Sequence, residues 1–468
     1  MARKALSGDS GLGFRLEGVQ RAALPVSWLG PLLALVWLLA SSSSAVSADL
    51  HQGVATCAGS TCHGRQAADG AIVRQNELVT WQDPSSSAGA HSRAWRTLQG
   101  RWAQRIASRL GLGDAASAPA CLGCHSDPAP RRGTRFQVSD GVGCEACHGG
   151  SERWLASHTA VGATHADNVA RGMTPLGDPR TAASVCLDCH LGSERPGQFV
   201  SHRMMSAGHP RLTFELDLFN AFQRHHDEDA DYVARKPVWA GPAVWAVGQA
   251  MALERSLLLF AREDRGVDGQ FPEFFFYDCH SCHRAISDEV DPAIRFERNP
   301  DRAIAWGAPP FNDENLILLG VAARPMAGQE LAGRFGENTR AFHQALAGDR
   351  PGAVAAARRL ADSSRELAGA MASRGFNTAT TLDLLRSVLS DALAPRFTDY
   401  TGGVQAVMAV DTLLAALVRQ GAMSGSVAAS MRPDIEAAYA ATRDPNRWRP
   451  SDFRQSLGRV RATLDRTT

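Results

Sequence analysis

Apolar residues recur with helical spacing through the C-terminal part of the chain, from about residue 291 onwards. The pattern predicts helices over residues 326–347, 352–373, 379–393, 402–420, 427–442 and 451–465. Residues that commonly end helices stand between them, at Gly348–Pro351, Gly375, Thr401–Gly403, Gly421 and Asp444–Pro445. This part contains no cysteine, so we predict an α-helical domain without cofactor over residues 291–468. It would serve either as a dimerisation unit or as a packing support.

The region from residue 49 to about 290 has a different pattern. Glycine and proline are frequent at Gly111–Pro119, Asp127–Gly133 and Gly172–Pro179, which predicts short helices and long ordered loops instead of sheet. The predicted fold class is therefore mainly α with extensive loops.

The first 48 residues have the order of an export signal. Basic residues precede an apolar run from Trp28 to Ala40, and Val46–Ala48 is an acceptable cleavage site. The run is shorter than the roughly 20 residues that span a bilayer, and we predict no later spanning segment. The expected location is the periplasm, with a membrane tether if the signal stays uncleaved.

Composition excludes several classes of protein. Hydrophobic residues make up 44% and charged residues 21%, which indicates a folded chain. Lys and Arg number 49 against 48 Asp and Glu, a balance that does not favour a nucleic-acid partner.

All ten cysteines fall in five short pairs, and a histidine follows the second cysteine of every pair. We number these motifs in chain order as site 1 (Cys57, Cys62, His63), site 2 (Cys121, Cys124, His125), site 3 (Cys144, Cys147, His148), site 4 (Cys186, Cys189, His190) and site 5 (Cys279, Cys282, His283). Four read C-x-x-C-H, the attachment signature of c-type haem, and the first has a four-residue spacer. The two thiols bind the two vinyl groups of the porphyrin, and the histidine binds the iron.

Disulfides, zinc sites and a thioredoxin-like motif are the alternatives for paired cysteines in an exported chain. None of them requires a histidine after every second cysteine. The sequence therefore predicts five covalently attached haems c, all within residues 49–290.

Ten histidines remain as candidates for the sixth iron position. An electron carrier fills that position, whereas a haem enzyme leaves one iron open for substrate. The predicted distal ligands are His91, at the start of an amphipathic helix, His158, His202, His209 and His225. His225 is chosen over the adjacent His226, His280 is expected to be structural, and His51, His165 and His343 are not predicted as ligands.

Three segments resemble exported multihaem cytochromes related to cytochrome c-554, a tetrahaem electron carrier that partners hydroxylamine oxidoreductase. They are GVGCEACHGG at 141–150, AGHPRL at 207–212 and YDCHSCH at 277–283, and the resemblance covers about residues 53–290. It implies that the five distal histidines named above lie in recurring motifs. The chain departs from that family in its fifth motif and its longer first spacer. No second cysteine is followed by lysine, which distinguishes it from pentahaem nitrite reductase.

The leading hypothesis is a periplasmic pentahaem electron carrier, with no catalytic residue, that exchanges electrons with partner proteins and self-associates, if at all, through its C-terminal helices. The alternative is a haem enzyme with one open iron acting on a small nitrogen or sulfur compound such as nitrite or hydroxylamine. A structural subunit that docks a larger electron-transfer complex is a third possibility.

Overall fold

Helices account for most of the secondary structure, which confirms the predicted mainly α fold class. The computed structural model describes residues 49–67, 74–236, 241–283, 309–394 and 400–467. The predicted export signal, residues 1–48, and the predicted domain boundary between residues 290 and 291 lie outside the described residues, and both stay predictions.

Short helices dominate the cysteine-containing part. In chain order they are α1 Val54–Cys57, α2 Glu77–Gln82, α3 Ala94–Leu98, α4 Arg101–Leu110, α5 Pro119–His125, α6 Cys144–His148, α7 Leu155–His158, α8 His165–Ala170, α9 Pro179–His190, α10 His202–Ser206, α11 Leu216–Phe222, α12 Ala230–Arg235, α13 Pro242–Phe260 and α14 Glu263–Gly266. The same part contains four strands of two residues each. Strand β1 Leu50–His51 pairs in parallel with β2 Arg131–Arg132, and β3 Val267–Asp268 pairs antiparallel with β4 Phe271–Pro272.

Longer helices form the C-terminal part: α15 Glu314–Ala327, α16 Gln329–Ala345, α17 Arg350–Ala372, α18 Thr378–Ala392, α19 Tyr400–Arg419, α20 Gly425–Ala441 and α21 Pro450–Thr467. The last six occupy the six segments predicted from periodicity, and α15 was not predicted. Gly328, with φ +93°, separates α15 from α16, because glycine adopts the left-handed region without steric cost.

The predicted helix break at Thr401–Gly403 is wrong, because these residues lie inside α19. The glycine at 403 serves packing instead of a turn. A Cβ placed there would lie 2.7 Å from the indole of the buried Trp448.

We therefore expect Gly403→Ala to destabilise the protein by about 1–3 kcal/mol, the usual cost of overpacking a core. Gly369→Ala, in α17, is the matched control, because a Cβ there meets no atom within 4 Å. Its expected effect is a gain of about 0.5–1 kcal/mol, since alanine favours helix over glycine. Thermal unfolding followed by circular dichroism separates the two, and equal melting temperatures would contradict the close contact.

Helix α13 departs from the expectation of only short helices before residue 290. It has 19 residues, and most of them are buried on all sides. By length and composition α13 and α19 could each cross a membrane, contrary to the sequence-based expectation of no later spanning segment. Their most apolar stretches are 72% and 78% buried inside the protein, which is typical of core helices.

One large apolar core joins the C-terminal helices to the cysteine-containing part. It includes Leu187 of α9, Leu253 of α13 and Leu318 of α15, each at most 2% exposed. Helix α13 packs against α9, α15 and α17. Because α9 ends in the histidine of site 4, the C-terminal helices support that site through α13.

Candidate haem-attachment sites

Sites 2, 3 and 4 lie at the C-terminal ends of helices. Helices α5, α6 and α9 end at His125, His148 and His190. In a helix, positions i, i+3 and i+4 share one face, so the two cysteines and the histidine of each motif lie on the same side. A single helical turn thus presents both thiols and the imidazole together.

Site 1 reaches a similar arrangement despite its longer spacer. Helix α1 ends at Cys57, and after a turn the backbone N–H of His63 donates to the Cys57 carbonyl at 3.1 Å. At site 5 the N–H of His283 donates to the Cys279 carbonyl at 2.7 Å. The same hydrogen bond therefore closes both loops, and the two extra residues of site 1 are contained in the turn.

Each motif histidine faces a second histidine that is distant in sequence. The ring centres are separated by 6.0 Å for His63 and His158, 6.4 Å for His125 and His209, 6.3 Å for His148 and His225, 6.2 Å for His190 and His91, and 6.3 Å for His283 and His202. All five predicted distal histidines are thus brought next to a motif histidine.

This spacing fits two imidazoles bound to opposite sides of one iron. Metal–imidazole bonds are about 2 Å long and each nitrogen lies about 1 Å from its ring centre, so two such rings have centres about 6 Å apart. The cysteine pairs of sites 1 to 4 form no disulfide, and their thiols remain available for thioether bonds. The set of donors therefore fits haem c.

Hydrogen bonds orient several of these imidazoles through Nδ1. The Nδ1 atom of His125 lies 3.0 Å from the Ala94 carbonyl, that of His209 lies 2.7 Å from the Pro210 carbonyl, and that of His225 lies 3.1 Å from the Gln223 carbonyl. A bond at Nδ1 fixes the tautomer that leaves Nε2 as the metal-binding atom.

Glu77 gives site 1 a charged partner in place of a carbonyl. Its Oε2 lies 3.0 Å from Nδ1 of His63, and its Oε1 lies 3.7 Å from Nδ1 of His226. Burial would raise the pKa of Glu77, but these contacts with the two imidazoles hold it well below its usual value. The ring centre of His226 lies 6.2 Å from that of His148, so one carboxylate connects sites 1 and 3.

Burial keeps the most enclosed imidazoles neutral. Desolvation, followed by the charges of neighbouring histidines, lowers the pKa of His148 to about 3, and the same two causes lower that of His190 and His225 to about 4. Neutral imidazole is the form that binds metal.

The attachment sites lie close to one another. Helix α1, which ends at Cys57 of site 1, packs against α6, which begins at Cys144 of site 3. The Cys189 Sγ atom of site 4 lies 3.8 Å from the Gly123 carbonyl oxygen of site 2. Sites 1 and 3, and likewise sites 2 and 4, are therefore direct neighbours.

Two details of the predicted ligand segments differ in the structure. The amphipathic helix expected after His91 is interrupted at Gly100 and forms α3 and α4. Trp102 in α4 is 56% exposed despite its apolar ring, and its indole N–H donates to the Gly208 carbonyl.

The histidines that were not predicted as ligands have other partners where the structure shows one. His280 contacts the Pro445 carbonyl through Nδ1 at 2.9 Å and ties site 5 to the segment before α21. His51 contacts Asp127, and the buried His343 contacts Asp313. Sequence reasoning missed Glu77, because a single glutamate carries no recognisable pattern.

Helical C-x-x-C-H turns facing second histidines define a c-type cytochrome, which carries covalently bound haem c and functions in electron transfer. Residues 56–149 match the family described as cytochrome c554 and c-prime, so the chain is related to the cytochrome c554 family over sites 1 to 3. No match was found among curated proteins or among solved structures.

Proposed function

We propose that the protein is an exported pentahaem c-type cytochrome that relays electrons between redox proteins in the periplasm. The observation that carries the proposal is the common spacing of about 6 Å between each motif histidine and a second histidine. Bound haem supplies one-electron redox chemistry.

The paired imidazoles favour a carrier over an enzyme. With haem bound, the two imidazoles of a pair would both hold the iron and would leave it no position for substrate. They also hold the coordination number constant between oxidation states. An open iron would require a motif histidine that faces no second ligand. All five motif histidines lie in the described part of the chain, and each faces one.

Contacts between the sites support a continuous path for electrons. Helix α1 of site 1 packs against α6 of site 3, α5 of site 2 packs against α9 of site 4, and α6 packs against α9, which joins sites 3 and 4. Phe275, two residues before the Tyr277 that opens the site 5 segment, lines one cavity together with His190 of site 4. Through these neighbours every site is connected to another.

The C-terminal helices support the site 4 part of this path through α13. Arg255 of α13 donates to the Asp188 carboxylate at 2.6 Å and to the Gly192 carbonyl at 2.9 Å, on either side of the site 4 histidine. Arg365 of α17 in turn donates to the Glu254 carboxylate of α13 at 2.8 Å, and this ion pair and the shared core favour a supporting role for residues 291–468. Self-association through these helices stays a prediction.

The test combines redox titration with EPR spectroscopy of the purified oxidised protein. We expect five electrons per chain and only low-spin ferric signals, unchanged by nitrite or hydroxylamine. Quantification of covalent haem by pyridine haemochrome assay supplies the matching count. A high-spin signal that shifts when either compound is added would contradict the carrier and support the enzyme.

A further inference from the structure

We propose that site 3 has two interchangeable distal ligands, His225 and His226. The inference rests on the proposed function, since it assumes an iron bound by His148. It concerns the only described motif histidine that faces two imidazoles at the spacing seen in all five sites.

His225 and His226 lie at nearly the same distance from His148. The ring centre of His148 lies 6.3 Å from that of His225 and 6.2 Å from that of His226. The latter two rings are 4.2 Å apart, and one ligand atom from each of the three histidines lies within 4.8 Å of the others. Distance to the motif histidine therefore does not distinguish the two candidates.

Both imidazoles also have a contact at their Nδ1 atom. His225 is held by the Gln223 carbonyl at 3.1 Å, whereas Nδ1 of His226 lies 3.7 Å from the Glu77 carboxylate and its ring stacks on Tyr232. Each arrangement leaves Nε2 free to bind metal.

Exchange between the two ligands is chemically balanced. One bond from a histidine Nε2 to iron would break as the other forms, and both imidazoles are neutral ligands, so neither a proton nor an electron would be gained or lost. Adjacent positions in the loop after α11 allow the exchange by a local movement of the chain.

The two arrangements would differ in reduction potential. His225 is polarised by a neutral carbonyl, whereas His226 is polarised by a carboxylate, which makes an imidazole a stronger electron donor and stabilises ferric iron. Binding by His226 would therefore give site 3 the lower potential. Since Glu77 also holds His63, the exchange would act at the contact between sites 1 and 3.

The test compares His225→Ala, His226→Ala and the double variant, with His209→Ala at site 2 as the control. His209 is the one imidazole that faces His125 in the described part of the chain. EPR and magnetic circular dichroism report the spin state, and the haemochrome assay shows whether all five haems are attached. We expect both single variants to stay fully low-spin, and about one fifth of the iron to become high-spin in the double variant and in the control.

The outcomes separate the inference from the proposed function. High-spin iron in either single variant would overturn the exchange and identify the replaced histidine as the sole ligand. A double variant that stays low-spin would also overturn it. If the His209→Ala control stayed low-spin, the assignment of distal ligands as a whole would fail. Conservative His→Gln variants at 225 and 226 repeat the comparison should an alanine variant lose haem.

A second readout tests His226 directly. In the His225→Ala background, Glu77→Gln should raise the potential of site 3, because the remaining ligand loses its carboxylate partner. In the His226→Ala background the same substitution should shift site 3 less, because His225 has no direct contact with Glu77. Equal shifts in both backgrounds would contradict the proposed ligation by His226.

Discussion

Replacing His91 with alanine is expected to open the iron at site 4 and to convert one fifth of the bound haem from low-spin to high-spin. His91 is the imidazole that faces His190, at a ring separation of 6.2 Å, and its own position is fixed by the backbone. Its carbonyl accepts a hydrogen bond from the N–H of Val142 at 3.0 Å. No other histidine in the described part of the chain lies at this spacing from His190, so none can replace it.

The open site should bind small ligands. Phe214 and Phe219 pack around His190 at ring separations of 5.4 and 5.2 Å and keep this histidine in place when His91 is removed. We expect the reduced variant to bind carbon monoxide, and the oxidised variant to show a high-spin EPR signal that changes with nitrite. The thioether bonds of Cys186 and Cys189 should keep the haem attached, so the haem count stays the same.

His165→Ala is the matched control for this experiment. His165 begins α8, is exposed and faces no motif histidine among the described ring contacts. Its replacement should leave the spectra unchanged. If His91→Ala also stayed low-spin with a full complement of haem, His91 would not be the ligand at site 4, and the pairing of motif histidines with distal histidines would need revision.

The sequence was sufficient to identify the chemistry but not the pairing. A histidine after every second cysteine predicts haem attachment, and the relation to the cytochrome c554 family confirms a c-type cytochrome. Nothing local in the sequence indicates that His63 faces His158 or that His125 faces His209. These pairs depend on how distant loops fold over one another, and periodicity and motif spacing carry no information about such contacts.

Helices α13 and α15 were not predicted, and the same physical reason explains both. Periodicity detects helices with one apolar face, such as α16 and α21. Helices α13 and α15 are apolar on most sides, so they show no stripe, and α15 also contains Pro325. The error at Thr401–Gly403 has a different origin, since Gly403 is required by its contact with Trp448 and not by a turn.

Glu77→Gln is expected to raise the reduction potential of site 1. The Glu77 carboxylate accepts a hydrogen bond from His63 at 3.0 Å, and its negative charge stabilises the more positive ferric iron. Glutamine keeps the shape but removes the charge. A change on the order of 60 mV corresponds to about 1.4 kcal/mol for a one-electron couple, within the range of a hydrogen bond to a charged group.

Spectroelectrochemical titration of the wild type and the variant measures this shift. One of the five redox transitions should move to higher potential by roughly 60 mV or more, and its spin state should stay low. A smaller rise at site 3 is expected when His226 is its ligand, because the Glu77 Oε1 lies 3.7 Å from Nδ1 of that histidine.

Glu152→Gln controls for the loss of one negative charge. Glu152 is exposed and pairs with Arg131 at 3.1 Å, so solvent screens its charge and we expect no measurable shift at site 1. If both variants moved all five transitions equally, a general effect of net charge would explain the result. A wild-type potential at site 1 in Glu77→Gln would show that the carboxylate only orients His63, through a hydrogen bond that glutamine can also accept.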